Sequence, residues 1–242
     1  MRRFYAHPRQ FDQDTVTLDP GETFHLVRVL RLPVGARVEV CDGQGGDFAA
    51  QVTALEPAGA TLSILGTLDA WGESPLTLVL GVGLAKGEAA DEVVRQTTEM
   101  GVSRIFPFFS ERSERLTPER AARRGERWRR LARESLKSCQ RSRLPLIEPP
   151  RDFAAALDGP EEVKFIFWEE ERGRGLKPLL QLPRPRDVRV LIGPEGGFSA
   201  GEAALAREAG FQVVSLGPRR LKVPTAALAA ITLIQYAWGD LA

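Results

Sequence analysis

Two glycine-rich segments late in the 242-residue chain have residue types and spacing suited to ligand chemistry. The first, Ile192-Gly193-Pro194-Glu195-Gly196-Gly197-Phe198, follows an apolar run and precedes Ser199-Ala200-Gly201-Glu202, which has capping-box spacing. Its three glycines leave main-chain N–H and C=O groups uncovered, so a flat ligand can be gripped by backbone. In an open α/β sheet such a loop lies outside the carboxyl end of a strand, where ligands bind. A tight strand-to-helix turn is the competing reading. The second segment, Leu216-Gly217-Pro218-Arg219-Arg220-Leu221-Lys222-Val223-Pro224-Thr225, holds the same position one strand–helix unit later. Its three cations stand before a helix, the end at which the macrodipole disfavours positive charge. That mismatch points to an anionic ligand.

A third glycine cluster is a decoy. Val38 to Gly46 looks like the strand and glycine turn that open a nucleotide-binding fold, but Asp47 to Leu55 continues as a strand. A phosphate site of that kind needs a helix N-terminus there, so a hairpin is the better reading. Other chemistries have little to draw on. His7 and His25 are the only histidines, and Cys41 and Cys139 lie far apart without metal-ligand spacing, so neither a metal site nor a serine–histidine triad is expected. The cysteines read as reduced thiols of a cytoplasmic protein. No apolar run reaches membrane-spanning length and no signal-peptide core is visible.

Hydrophobic residues make up 43% of the chain and charged residues 27%, a folded rather than disordered balance. The net charge of +1 conceals an asymmetry: Arg104 to Arg143 holds twelve Arg and one Lys against five Glu, a local excess of +8, leaving −7 elsewhere. A cluster of this kind suits a polyanion, although Glu119 with Arg123 and Glu126 with Arg130 have the spacing of solvated helix pairs.

The elements that must position these residues fall into two regions. Arg2 to Ala6, Thr15 to Leu18, Arg37 to Cys41, Phe48 to Leu55 and Ala60 to Leu65 read as short strands, with one helix over Glu22 to Leu30, and a small barrel would close them. Asp69 to Pro75 reads as a linker. Beyond it strands and helices alternate, as in an α/β domain with a parallel sheet. Leu76 to Val82, Arg104 to Phe109, Val163 to Trp168, Val188 to Ile192 and Val213 to Leu216 are the strands. Glu88 to Met100, the basic helix opened by Thr117-Pro118-Glu119, the helix from Ser199 to Gly210 and one opened by Pro224 are the helices.

Gly193 to Phe198, Leu216-Gly217-Pro218-Arg219 with Leu221, and Thr225-Ala226-Ala227 together resemble the C-terminal signature of the RsmE family. These are knotted, SPOUT-type methyltransferases that modify N3 of a uridine in 16S ribosomal RNA. His25-Leu26 with Val29-Leu30-Arg31, and Asp42-Gly43-Gln44-Gly45, resemble the family's N-terminal barrel. Lys86, Glu99-Met100-Gly101-Val102, Pro107 and Ser110-Glu111-Arg112-Ser113 resemble the start of its catalytic domain. Arg127-Trp128 and Arg141 with Pro145 resemble its basic helix and exit. The ordered set covers nearly the whole chain. Where the family usually has Arg-Thr-Glu-Thr, this chain has Lys222-Val223-Pro224-Thr225, so no catalytic role is carried over to that segment.

The resemblance implies a small N-terminal PUA-like β-barrel over 1–70 that binds RNA, then a trefoil-knotted α/β methyltransferase domain over 74–242 that forms a homodimer. It implies S-adenosylmethionine as cofactor, held by Phe167, Trp168, Ile192, Gly193, Pro194, Glu195, Gly196, Gly197, Leu216, Gly217, Leu221 and Val223. Arg219 is the expected electrostatic catalyst, with Arg141 as its alternative and Glu195 as the nearest carboxylate. Contacts to ribosomal RNA are expected from Arg2, Arg3, His25, Arg28, Arg31, Arg112, Arg115, Arg129, Arg143 and Arg220. The rival readings are a non-catalytic RNA-binding protein of ribosome assembly and a knotted methyltransferase acting on another base or ribose.

Overall fold

A computed structural model describes residues 2–56, 59–84 and 88–241, and Lys86 lies outside them. Contacts gather the chain into two units: residues through Glu73 with Arg133–Leu144, and Ser74–Ala132 with the residues from Pro145 onward.

The first unit is one six-stranded sheet. Its strands are β1 (Arg3–Tyr5), β2 (Phe11–Asp12), β3 (Thr15–Thr17), β4 (Arg37–Cys41), β5 (Asp47–Glu56) and β6 (Gly59–Leu68), in the order β1-β4-β5-β6-β3-β2. Only the β1–β4 pairing is parallel. Alternate residues Val38 and Val40, Ala50 and Val52, and Ala60 and Leu62 enter a common core with Phe4, Val16 and Leu26, as the period of two requires. The sequence reading lacked β2, whose two residues turn back into β3 with Gln13 in the left-handed region at φ 49°. The expected helix over Glu22 to Leu30 is shorter: α1 spans Pro20–Phe24, capped by the Asp19 carboxylate, and His25–Val29 continues as a wider π turn. The hairpin reading of the decoy holds, with Asp42 Oδ1 accepting the N–H groups of Gln44 and Gly46 at 2.7 and 2.8 Å.

Asp69 to Pro75 is more than a spacer. The Glu73 carboxylate accepts from the Ser142 and Arg143 backbone N–H groups at 2.8 and 2.7 Å and from Arg141 Nη2 at 2.9 Å. Charge on one side chain thus ties the end of the segment to the first unit, a contact no local pattern announces.

The second unit is a parallel sheet. Its strands are β7 (Thr77–Gly83), β8 (Arg104–Phe109), β9 (Leu146–Ile147), β10 (Arg151–Asp152), β11 (Val163–Phe167), β12 (Asp187–Ile192) and β13 (Gln212–Val214). The order is β10-β8-β7-β12-β11-β13, with β9 also beside β8, and every pairing is parallel. The helices are α2 (Ala89–Glu99), α3 (Pro118–Cys139, whose residues from Arg133 belong to the first unit), α4 (Phe153–Leu157), α5 (Ala200–Glu208) and α6 (Val223–Trp238). β7 and β12 are buried almost throughout; β7 reads as an unbroken apolar run, and the charge inside β12, Arg189, is buried in a pair with Glu161 at 2.7 Å. Buried Asp91 of α2 receives Arg127 Nε at 2.7 Å and Trp128 Nε1 at 3.0 Å, docking α3 against α2. In register, Phe167 of β11 lies beside Ile192 of β12 and Val214 of β13, so three strands end at one level.

Candidate functional site

Where those three strands end, their following loops enclose a cleft of about 240 Å³. Its floor is apolar and made of residues the strands and α6 must bury anyway: Phe167, Ile192 and Val223 are each less than a tenth exposed.

One wall is the turn after β12. The Gly197 N–H donates to the Pro194 carbonyl at 2.9 Å, closing a four-residue turn. Gly197 has φ 67°, and a Cβ there would collide with the Glu169 carboxylate, so both backbone and space demand glycine. Beyond the turn, Phe198 stacks on Phe108 with centroids 6.0 Å apart, burying the loop's exit in the core. Ser199 and Glu202 form the expected capping box and start α5. Gly83 of β7 packs so closely on Pro194 that an added Cβ would fall 2.5 Å from its ring.

A second wall follows β11. Trp168 donates its indole N–H to the Phe198 carbonyl at 3.1 Å, and Arg207 lies 5.8 Å over its ring. Arg207 Nη2 also bonds the Glu171 carboxylate at 3.0 Å. The Gly173 N–H, helped by Arg207 against desolvation, holds that carboxyl below the usual range. The third wall follows β13: Ser215 Oγ and Gly217 exchange hydrogen bonds at 3.1 Å, and residues 217–220 are exposed.

All twelve residues expected to hold the cofactor line this cleft, as do Arg219 and Arg220. Sequence reasoning missed Glu169, Ser215 and Ala226, which complete the lining. Glu169 and Ser215 adjoin named segments and Ala226 lies within one, but only the fold turns them inward. Arg141, the alternative cation, is 2% exposed and bonded to Glu73 within the first unit. Arg3 is likewise committed, with Nη2 bonded to Asp47 at 2.6 Å and to the Arg141 carbonyl at 2.8 Å, which removes it from the surface cations. His25 is half-buried with its ring edge-on to Phe4.

Arg2, Arg28, Arg31 and Arg143 are exposed in the first unit, and Arg112, Arg115, Arg129 and Arg220 in the second. Arg115 pairs with Asp152 at 3.7 Å and lies over Phe109. Arg112 donates to the Gly196 carbonyl at 3.0 Å. On α3, Arg120, Arg123 and Arg130 join Arg129 on the exposed surface, while Trp128, Leu131 and Ala132 are buried. No cluster of three metal-ligating side chains occurs among the described residues.

The glycine-lined cleft lies at the carboxyl ends of a parallel sheet, and the chain as a whole is similar to known RNA methyltransferases. The RNA methyltransferase domain family matches residues 72–235, and the RNA methyltransferase PUA domain family matches residues 18–65. Ribosomal RNA small subunit methyltransferase E of Synechocystis sp. is 35% identical, over 96% of this chain and 77% of that protein. The protein of the same name from Bacillus subtilis is 24% identical, over 92% of this chain and 90% of its own length. The structure of ribosomal RNA small subunit methyltransferase E from Neisseria gonorrhoeae, solved bound to S-adenosyl methionine, superposes with a TM-score of 0.90 at 33% identity, covering 100% of both chains. This chain belongs to the ribosomal RNA small subunit methyltransferase E family.

Proposed function

We propose that the chain transfers a methyl group from S-adenosylmethionine to N3 of a uridine in 16S ribosomal RNA, with the cleft between the β11, β12 and β13 loops as its cofactor site. The observation that carries this reading is convergence: three separate segments, named for one ligand on their sequence, meet at one cleft. The residues fit the cofactor chemically. Phe167, Ile192, Leu216 and Val223 offer an apolar bed for an adenine ring, and the glycine turns expose backbone donors and acceptors. Glu169 and Glu195 set carboxylates in the same lining, which suits a ligand carrying positive charge.

When bound, S-adenosylmethionine supplies an electrophilic methyl on a sulfonium centre. The chain's own task is to hold uridine N3 in line with that methyl and to favour the uridine anion, because N3–H is a weak acid. Arg219, exposed in the cleft lining, is the cation assigned to the negative charge that develops on the base. Glu195 is the candidate to accept the proton or pass it to water. The exposed arginines of α3 and of the first unit supply remote binding to RNA that aligns the reacting atoms. Arg141 is not part of this proposal. A purely RNA-binding protein has no use for such a cleft, which weighs against the rival reading.

The trefoil knot and the homodimer complete the proposal. α6 buries Ile231, Ile234 and Trp238 but exposes Leu233 and Tyr236, an apolar stripe that suits a second copy of the chain. No described helix is long and apolar enough to cross a membrane, in keeping with work on ribosomal RNA in the cytoplasm.

Calorimetric titration with S-adenosylmethionine tests the cofactor site, with Gly196→Trp as the variant expected to lose binding. Transfer of labelled methyl to 16S RNA or small subunits then tests the reaction. Reverse transcription should stop at one uridine, because N3 lies on its pairing edge. A folded protein that binds no cofactor, or label on a ribose or another base, would overturn the assignment.

A further inference from the structure

Arg112 was expected at the RNA surface because it is a cation in a motif after β8. Its surroundings point elsewhere. Its Nη1 donates to the Gly196 carbonyl at 3.0 Å, and its stem crosses Gly196 so closely that a Cβ there would lie 2.9 Å from Arg112 Cβ. The peptide joining Gly196 to Gly197 is therefore held from both sides. Its N–H points to the Pro194 carbonyl, and its C=O points the opposite way, to the guanidinium.

The segment that presents Arg112 is itself fastened to the same loop. The Glu111 N–H donates to Glu202 Oε1 at 2.9 Å, while Glu202 Oε2 accepts from the Ser199 N–H at 2.9 Å. One buried carboxylate thus fixes the start of α5 and the residue before Arg112. From these contacts we infer that Arg112 is a positioning residue for the cofactor turn: it sets the orientation of the Gly196–Gly197 peptide before any ligand arrives. The inference rests on the reading of the cleft as the cofactor site and adds that its shape is maintained from the β8 side. A charge-assisted bond to a carbonyl preorganises better than a neutral one, and preorganisation appears directly as affinity.

The test uses the full chain without RNA. Calorimetry with S-adenosylmethionine should give Arg112→Ala and Arg112→Met a Kd about three- to tenfold weaker than wild type, the size expected for losing one partly exposed charged bond. Met keeps most of the stem, so a loss shared by both variants assigns the effect to the guanidinium. Arg112→Lys, which keeps a donor but not the planar fork, should recover part of it. In steady state, KM for the cofactor should rise far more than kcat at saturating cofactor falls. Thermal midpoints close to wild type would show that the variants are folded. Unchanged cofactor Kd with a raised KM for RNA would overturn the inference and return Arg112 to the RNA-contacting set. Failure of the wild type to bind cofactor would remove the cleft reading, and this inference with it.

Discussion

The wall that follows β12 and the wall that follows β13 face one cleft, yet they are built differently. The first is tied down at every step: its turn is closed by Gly197 and Pro194, its outer carbonyl is held by Arg112, and its exit is buried under Phe198 and the α5 capping box. The second runs through exposed residues 217–220, and Gly217, at φ 106°, would meet nothing within 4 Å if it gained a side chain. The difference separates two tasks. A wall assembled before the ligand arrives spends little ordering entropy on binding, whereas an open wall that carries cations can adjust to a large polyanion. In this reading the β12 turn sets cofactor affinity and the β13 loop sets turnover on RNA.

The hardest test of that division is Gly197→Val. A β-branched residue at φ 67° is strained by about 1–3 kcal/mol, and its side chain would collide with Glu169. Cofactor affinity should fall by about a hundredfold or more in calorimetry, with the midpoint of thermal unfolding lowered by a few degrees. Near-normal affinity would mean that the turn is not the preformed wall. Arg219→Ala should do the reverse. We expect kcat to fall by about ten- to a hundredfold, the scale of one lost electrostatic stabiliser, while cofactor Kd moves less than about twofold. A drop in cofactor affinity with kcat intact would exchange the roles of the two walls.

What the sequence discloses about these walls follows the range of the forces involved. Glycine spacing, the Ser199–Glu202 box and the apolar end of β12 are local, and each read directly onto the structure. The elements that escaped were too short for a periodicity: β2, β9, β10 and α4 have two to five residues each. Charge was the least legible feature. Arg219 and Arg220 stay exposed while Arg3 and Arg141 vanish into pairs with Asp47 and Glu73, partners 44 and 68 residues away in the chain. A count of +8 over Arg104 to Arg143 cannot distinguish an arginine that meets solvent from one such as Arg141, which is 2% exposed and spent on Glu73. Glu169 escaped for a related reason: its place opposite Gly197 depends on strand register, which residue spacing does not encode.

A smaller effect sharpens the comparison from behind the tied-down side. Trp168 reaches the β12 loop through its indole N–H, and Arg207, lying over its ring, is held in turn by Glu171. Because the Gly173 N–H and Arg207 lower the folded-state pKa of Glu171, its stabilisation is fully present above the ordinary carboxylate pKa. It is lost as pH falls through the depressed folded value. Glu171→Gln should therefore cost only about 0.5 kcal/mol in denaturant unfolding at pH 7, since the pair is partly exposed and screened. The difference from wild type should shrink toward zero at a pH below that depressed value, where the native carboxyl is also neutral. Cofactor affinity should change less than about twofold, because the Trp168 bond to the Phe198 carbonyl remains. A deficit of equal size at both pH values would assign the effect to the shape of the amide and not to charge. A large loss of cofactor affinity would show that the β12 wall depends on this outer support and is less self-sufficient than its own bonds imply.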